Sequence, residues 1–169
     1  MFEREAPSLS PDESRAIADV LGRIPRCHYI MTARTPDRLG GALVTWVQQA
    51  GAEPPMISVT LQKARSITPL ILDAHAFCLC QIDPSDRTLI RRFSASGDAF
   101  RFDGLPLERG KTGAPIVTGA QAYLECEVIR HTDFDGDHDL YVAQIVAAGI
   151  LRGGEVIPHF PPTPTKLPP

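Results

Sequence analysis

The chain of 169 residues lacks long apolar runs and carries no strong excess of either charge. No segment approaches the roughly 20 consecutive apolar residues that a membrane-spanning helix needs. The first segment, MFEREAPSLS, has no apolar core of the kind found in a secretory signal peptide. A formal net charge of −3 gives no general attraction to nucleic acid or to anionic membranes. A cytoplasmic location without a nucleic-acid or membrane partner is therefore expected.

Common catalytic and metal-binding motifs are also missing. There is no G-x-S-x-G, Walker-type, H-E-x-x-H or G-x-G-x-x-G sequence, so hydrolase, nucleoside-triphosphatase and Rossmann functions have no motif support. The four cysteines lie in apolar segments, and the C-x-C pair of Cys78 and Cys80 has no second pair at zinc-ligand spacing. Buried reduced thiols are favoured over a zinc or disulfide site. No metal ligands are predicted.

Most of the segments with a regular spacing of apolar residues have the two-residue period of a β-strand. Ser10, Pro11 and Glu13 predict a first helix with a capping box. CHYIMTA and GALVTWVQQA then predict a hairpin, and MISVTL, AFCLCQI, YLECEVI and LYVAQIVAAGIL predict further strands. About six or seven strands joined mainly by short turns indicate a mainly β protein, an antiparallel β-barrel with flanking helices.

Shorter elements are predicted between these strands. One helix is expected from about Pro69 to Ala74, capped by Thr68 or Ser66, and another is expected to open at DPSD. The segment from Ser94 to Pro115 shows no sustained period, which indicates a long surface excursion.

The chain is expected to form a single domain over residues 1–169, with its barrel at about 21–157. The remaining segment, 158–169, is rich in proline and cannot pair inside a sheet. It is predicted to be an extended tail, either a solvated end, which is slightly favoured, or an arm on a partner subunit.

The stretch from Gly40 to Thr68 contains groups that a phosphorylated, planar ligand requires. Lys63, Arg65, Ser66 and Thr68 precede a predicted helix, where free backbone N–H groups and two cations favour phosphate. A solvated basic turn with an ordinary helix cap explains the same residues equally well. The two interpretations remain open on the residues alone.

Two further groups of residues are candidates for ligand contact or chemistry. One is the strand end at Thr45, Trp46 and Gln49 with the small residues Ala50 and Gly51, although a strand end with a half-buried tryptophan explains it better. The other is His138 in the aspartate-rich turn DFDGDHD, which lacks the spacing of an EF-hand. Most such turns are solvated and structural.

Five segments in order resemble the flavin reductase-like, FMN-binding split-barrel family, over about Leu21 to Leu151. They are LGRIPRCHYIMTAR, GALVTWVQQAGAEPPMISVTLQK, ITPLILDAHAFCLCQI, GAPIVTGAQAYLECEVI and GDHDLYVAQI. The resemblance implies a Greek-key split barrel and a homodimer with FMN, or alternatively FAD, at its interface. It also implies NAD(P)H as co-substrate, a flavin reductase or electron-transfer activity, and a monooxygenase or another electron acceptor as partner.

The resemblance also assigns site residues by position. It implies that the ring and the ribityl chain are contacted by Thr45, Trp46, Val47 and Gln49, and that Ala50 and Gly51 offer backbone contacts to the ring. It implies phosphate contacts from Lys63, Arg65, Ser66 and Thr68. It also implies that Cys80 faces the flavin from its strand and that His138 occupies a catalytic position beside the nicotinamide.

Several positions depart from the family pattern. Thr45 and Cys80 stand where asparagine is common, Gly51 replaces a serine, Ile67 replaces a hydroxyl residue, and Ala143 replaces a glycine. Three of these changes remove hydrogen-bonding side chains, and each such bond contributes about 0.5–1.5 kcal/mol. They motivate the alternative of a non-catalytic split barrel that binds flavin or another ligand.

Overall fold

The structure is a computed structural model that describes residues 9–95 and 101–160. The chain divides into two compact units, Met1–Arg26 with Pro158–Pro169, and Cys27–Ile157. The organisation of residues 1–169 as a single domain stays a prediction.

The first unit contains helix α1, Pro11–Leu21, and its capping box is confirmed. The backbone N–H of Ser10 donates to Glu13 Oε2 at 2.8 Å, and the backbone N–H of Glu13 donates to Ser10 Oγ at 3.3 Å. Two orphan donors of the first turn are thereby satisfied. Within the same unit, Arg26 and His159 form an isolated β-bridge. The remainder of the proline-rich tail, 161–169, lies outside the described residues.

The second unit is built on a seven-stranded antiparallel sheet, which confirms the mainly β prediction. Its order is β2-β1-β5-β8-β9-β4-β3, and β6 and β7 form a separate two-stranded sheet. The strands are β1 His28–Arg34, β2 Leu39–Val44, β3 Val47–Ala52, β4 Pro55–Gln62, β5 Ala76–Ile82, β6 Leu107–Arg109, β7 Pro115–Val117, β8 Ala122–Asp133 and β9 His138–Ile150. The helices are α2 Thr68–Ala74 and α3 Arg87–Ser94.

Three local predictions were wrong. GALVTWVQQA, predicted as one strand, divides at Thr45 and Trp46, because β2 and β3 lie at opposite ends of the sheet order. Neither Thr68 nor Ser66 caps α2; the N-cap is Ile67, without a side-chain cap bond, and its side chain is fully buried. Part of the expected surface excursion forms β6, and its last residue, Pro115, begins the buried strand β7. Residues 96–100 of that excursion lie outside the described part.

The core of the second unit comprises two clusters, one on each face of β5. Phe77 and Leu79 belong to the first cluster, and Cys78 and Cys80 belong to the second, as the two-residue period of a strand requires. All four side chains are fully buried. This buried interior strand is part of the scaffold that positions the loops at both ends of the sheet. In the described part of the chain, no helix is long and apolar enough to cross a membrane.

Candidate functional site

The loop between β4 and α2 borders a polar cavity of about 390 Å³. The chain turns sharply there, since Ala64 has a φ of 60° and the backbone N–H of Thr68 donates to the carbonyl of Arg65 at 3.0 Å. The described residues that line the cavity come from the end of β4, from this loop, from β2 and from the end of α3 and beyond. They are Ala42, Gln62, Lys63, Ala64, Arg65, Ser66, Ser94, Ala95 and Arg101.

Three of the four residues assigned to phosphate binding line this cavity. They are Lys63, Arg65 and Ser66, whereas Thr68 begins α2 and is not among the lining residues. Ser94 and Arg101 also line the cavity, and neither was predicted from the sequence. Both come from α3 and the segment after it, where no sequence period indicated that the chain returns to this loop.

Arg101 is a buried cation on one wall of the cavity, with only 5% of its surface exposed. Its guanidinium donates to the backbone carbonyls of Gly41 and Ala95, and so joins β2 to the end of α3. At Gly41 an added Cβ would come within 2.7 Å of the Phe93 and Phe102 rings. This close packing holds the wall in place beside the two cations of the loop.

The turn between β8 and β9 brings carboxylates to the other side of Lys63. Lys63 Nζ lies 2.5 Å from Asp133 Oδ1 and 4.0 Å from Asp139 Oδ1. The hydrogen bond to Asp133 raises the pKa of Lys63, and the same bond lowers the pKa of Asp133. Lys63 is therefore engaged by the acidic turn while its side chain also lines the cavity.

His138, at the start of β9, stacks on Trp46 in the connection between β2 and β3. The ring centroids are 4.4 Å apart and the ring planes are 21° from parallel. His138 Nδ1 lies 2.8 Å from Asp137 Oδ1, a contact that lowers the pKa of Asp137. The indole is 42% exposed, so one ring of the pair is open to solvent. Two residues far apart in sequence, each proposed as a ring contact, are thus adjacent.

Strand β3 presents the next group of predicted residues at an edge of the sheet. Gln49 and Ala50 are exposed, and a register shift between Gln49 and Gly51 leaves Ala50 outside the regular ladder. Such bulges at sheet edges redirect side chains and backbone groups. The Gln49 side-chain amide donates to the carbonyl of Gly51 at 3.3 Å.

The structure gives a packing reason for three departures from the family pattern. A Cβ at Gly51 would lie 2.6 Å from the Met56 side chain, so a serine there requires Met56 to move. Ile67 and Ala143 are fully buried in the first core cluster. Their side chains serve the core.

Cys80 lies inside the second core cluster, where none of its surface is exposed. Its sulfur accepts a hydrogen bond from the backbone N–H of Val117 at 3.3 Å and lies 3.7 Å from Cys78 Sγ. The hydrogen bond with Cys80, together with burial, raises the pKa of Cys78. The burial of Cys80 does not favour the flavin contact assigned to it, which stays a prediction. No metal-binding group of three His, Cys, Asp or Glu side chains occurs among the described residues.

Known proteins with similar sequences belong to one family of flavin-associated domains. Residues 21–158 match the flavin reductase like domain. The chain is 35% identical over 150 residues to the putative diflavin flavoprotein A 3 of Nostoc sp., covering 86% of this chain and 25% of that protein. It is 28% identical over 166 residues to the FMN reductase (NADH) RutF 2 of Rhizobium rhizogenes, covering 92% and 95%. The chain thus spans about a quarter of the length of the diflavin flavoproteins that it matches.

A solved structure supports the fold assignment. The Streptomyces globisporus C-1027 NADH:FAD oxidoreductase SgcE6, in complex with NAD and FAD fragments, superposes with a TM-score of 0.76. The alignment covers 90% of this chain and 92% of that chain, at 20% identity. The seven-stranded antiparallel sheet is therefore that of the split-barrel flavin reductases. With the domain match over most of its length, the chain belongs to the flavin reductase-like family.

Proposed function

We propose that this protein is an FMN-binding oxidoreductase that reduces flavin with NAD(P)H or passes electrons through a bound flavin. The polar cavity beside the β4–α2 loop is the observation that carries the proposal. It combines two arginines, a lysine and hydroxyl groups in about 390 Å³, and its lining residue Gln62 pairs in the sheet with His138, which stacks on the exposed Trp46. Related proteins include one named as an FMN reductase (NADH) and a structure with NAD and FAD fragments.

The cavity residues fit the phosphate of FMN. Arg65 offers a planar set of donors, Ser66 offers a hydroxyl, and Lys63 offers an ammonium group. Charge-assisted hydrogen bonds of this kind are about twice as strong as neutral ones. FAD remains the alternative cofactor, because its pyrophosphate includes a phosphate attached to the same ribityl oxygen. Residues 1–169 would act as one functional domain.

The ring of the flavin would lie along the β2–β3 connection and the exposed edge of β3. Thr45, Trp46 and Val47 would contact its ribityl chain and edge, and Ala50 would offer backbone groups. When bound, the flavin supplies the two-electron chemistry. Gln49 or the backbone N–H of Gly51 would stabilise negative charge on the ring, as donors aimed at developing charge do elsewhere.

His138 would face the nicotinamide, held by Asp137 and by the indole of Trp46. In H138Q we expect flavin reduction by NADH to slow about tenfold, because the nicotinamide loses an orienting contact. FMN affinity should stay nearly unchanged. Stopped-flow absorbance of the protein-bound flavin measures the rate. The matched control is H131Q, since His131 lies by Asp139 and is stacked on Tyr141; equal slowing in both variants would contradict the role of His138.

The activity itself is tested by absorbance. We expect the purified protein to bind added FMN, with a perturbed flavin spectrum, and we expect NADH or NADPH to bleach that spectrum under anaerobic conditions. A protein that binds neither FMN nor FAD would refute the proposal. The final acceptor, a monooxygenase component or another protein, is identified by adding candidate acceptors to the reduced protein and following reoxidation.

The competing function is a split barrel that binds flavin or another ligand without turnover. The engagement of Lys63 by Asp133 favours it, because the acidic turn opposes an anionic ligand. Burial of Cys80 in the core also does not favour one predicted flavin contact. Bound flavin that neither NADH nor NADPH bleaches would select this alternative.

A homodimer is also part of the proposal. Within the second unit, Ile150 is 78% exposed and lines an apolar groove together with Tyr29, Tyr123, Leu124 and Ala148. Exposed apolar surface of this kind marks association sites in soluble proteins. Sedimentation equilibrium at micromolar concentration should give twice the mass of the chain, and a monomer would contradict the assignment.

A further inference from the structure

Lys63 connects two parts of the structure that have opposite electrostatic character. Its side chain lines the polar cavity, while its ammonium group lies 2.5 Å from Asp133 Oδ1. Its backbone N–H also donates to the carbonyl of Asp137 at 2.9 Å, which fastens the loop to the acidic turn. One cation is therefore available to two anions, a carboxylate of the chain and the anionic group of a ligand.

Asp133 is held in the position that engages Lys63. Its Oδ1 accepts a hydrogen bond from the backbone N–H of Asp135 at 2.7 Å, which fixes the carboxylate within the turn. The contact of Asp139 with Lys63 is longer, because its Oδ1 lies 4.0 Å from Lys63 Nζ. Its Oδ2 lies 3.4 Å from His131 Nε2. Asp133 is thus the carboxylate with the closest contact to Lys63.

Arg65 provides the contrast within the same loop. It lines the cavity as Lys63 does, and no described carboxylate lies within ion-pair distance of it. A phosphate entering the cavity can therefore bind Arg65 without displacing a partner. To bind Lys63 it must share or replace the bond to Asp133, which reduces the net gain.

We propose that Asp133 is an internal competitor for Lys63 and thereby sets how strongly the cavity prefers phosphorylated over unphosphorylated flavin. The proposal rests on the proposed function, because it assigns the cavity to the flavin phosphate. Asp133 is not among the residues placed at the ring or the nicotinamide, so its role is in ligand specificity.

The test uses D133N in the full chain. Asparagine keeps an oxygen for the backbone N–H of Asp135 and removes only the charge. Flavin fluorescence titrations give the dissociation constants of FMN and riboflavin. The preference for FMN over riboflavin should rise about two- to fivefold in D133N, the range expected for loss of an exposed ion pair.

The matched control is D135N. It removes the same charge from the same turn without removing an ion pair to Lys63, and asparagine accepts the φ of 59° found at Asp135. The FMN preference should change little in this variant. In a K63Q background, D133N should have no effect, since the contested cation is gone.

Three results would overturn the proposal. They are an unchanged or lower FMN preference in D133N, an equal rise in D135N, and a rise that persists with K63Q. If the wild type binds neither flavin, the proposed function fails, and pyrophosphate then probes the cavity alone. In that case pyrophosphate should raise the melting temperature of D133N more than that of the wild type. An equal or smaller rise in D133N would also refute the competition of Asp133 for Lys63.

Discussion

The double variant K63A/R65A should bind FMN about 100-fold more weakly than the wild type, while its affinity for riboflavin stays within a few fold. Both side chains line the cavity, and only FMN carries the phosphate that they would contact. Hydrogen bonds to charged groups contribute about 1.5–3 kcal/mol each, and every 1.4 kcal/mol is a tenfold change in affinity. Lys63 contributes less than Arg65, because its bond to Asp133 offsets part of the gain.

Flavin titrations by fluorescence measure the four dissociation constants that this expectation requires. The control is K111A/R130A, which removes one lysine and one arginine from exposed positions that do not line the cavity. It separates local contacts from the change in overall charge. Equal weakening of FMN and riboflavin in K63A/R65A would show that the cavity does not hold the phosphate.

Replacing Glu125 by alanine should lower the free energy of unfolding by about 3 kcal/mol. Glu125 is only 2% exposed, and its carboxylate accepts hydrogen bonds from two backbone N–H groups and one hydroxyl. These donors belong to Lys111 and Thr112, at distances of 2.8–2.9 Å. An alanine leaves all three without their acceptor and opens a void beside the loop.

Urea unfolding at constant m-value measures this loss. The matched variant is E127A on the same strand, where the side chain is exposed and a change below about 0.5 kcal/mol is expected. The loop packs tightly on the Glu125 carboxyl group, since a Cβ at Gly110 would lie 2.3 Å from it. A loss for E125A no larger than that for E127A would mean that the loop does not depend on this carboxylate.

The sequence was sufficient for the elements whose pattern is local. MISVTL alternates, and Ile57, Val59 and Leu61 are buried in the first core cluster as the period of a strand requires. The capping box of α1 and the hairpin of β1 and β2 were likewise encoded within a few residues. The order of family-like segments then predicted the split barrel, because it fixes connectivity that periodicity leaves open.

The candidate site depends on contacts between distant segments, which no local pattern contains. Lys63 and Asp133 are 70 residues apart in sequence, and their ion pair exists only because the β8–β9 turn meets the β4–α2 loop. Arg101 reaches the cavity from a segment without a period. Glu125 occupied a position that alternation indicates as outward, but the loop after β6 covers that side of β8 and buries it.

The stacking of Trp46 on His138 also has a spectroscopic consequence. Trp46 is the single tryptophan of the chain, so its emission reports on one location without contributions from elsewhere. That location joins the β2–β3 connection to the first residue of β9. Intrinsic fluorescence therefore gives a built-in probe of this point, and a change in the imidazole or in the separation of the two rings can be followed without an added label.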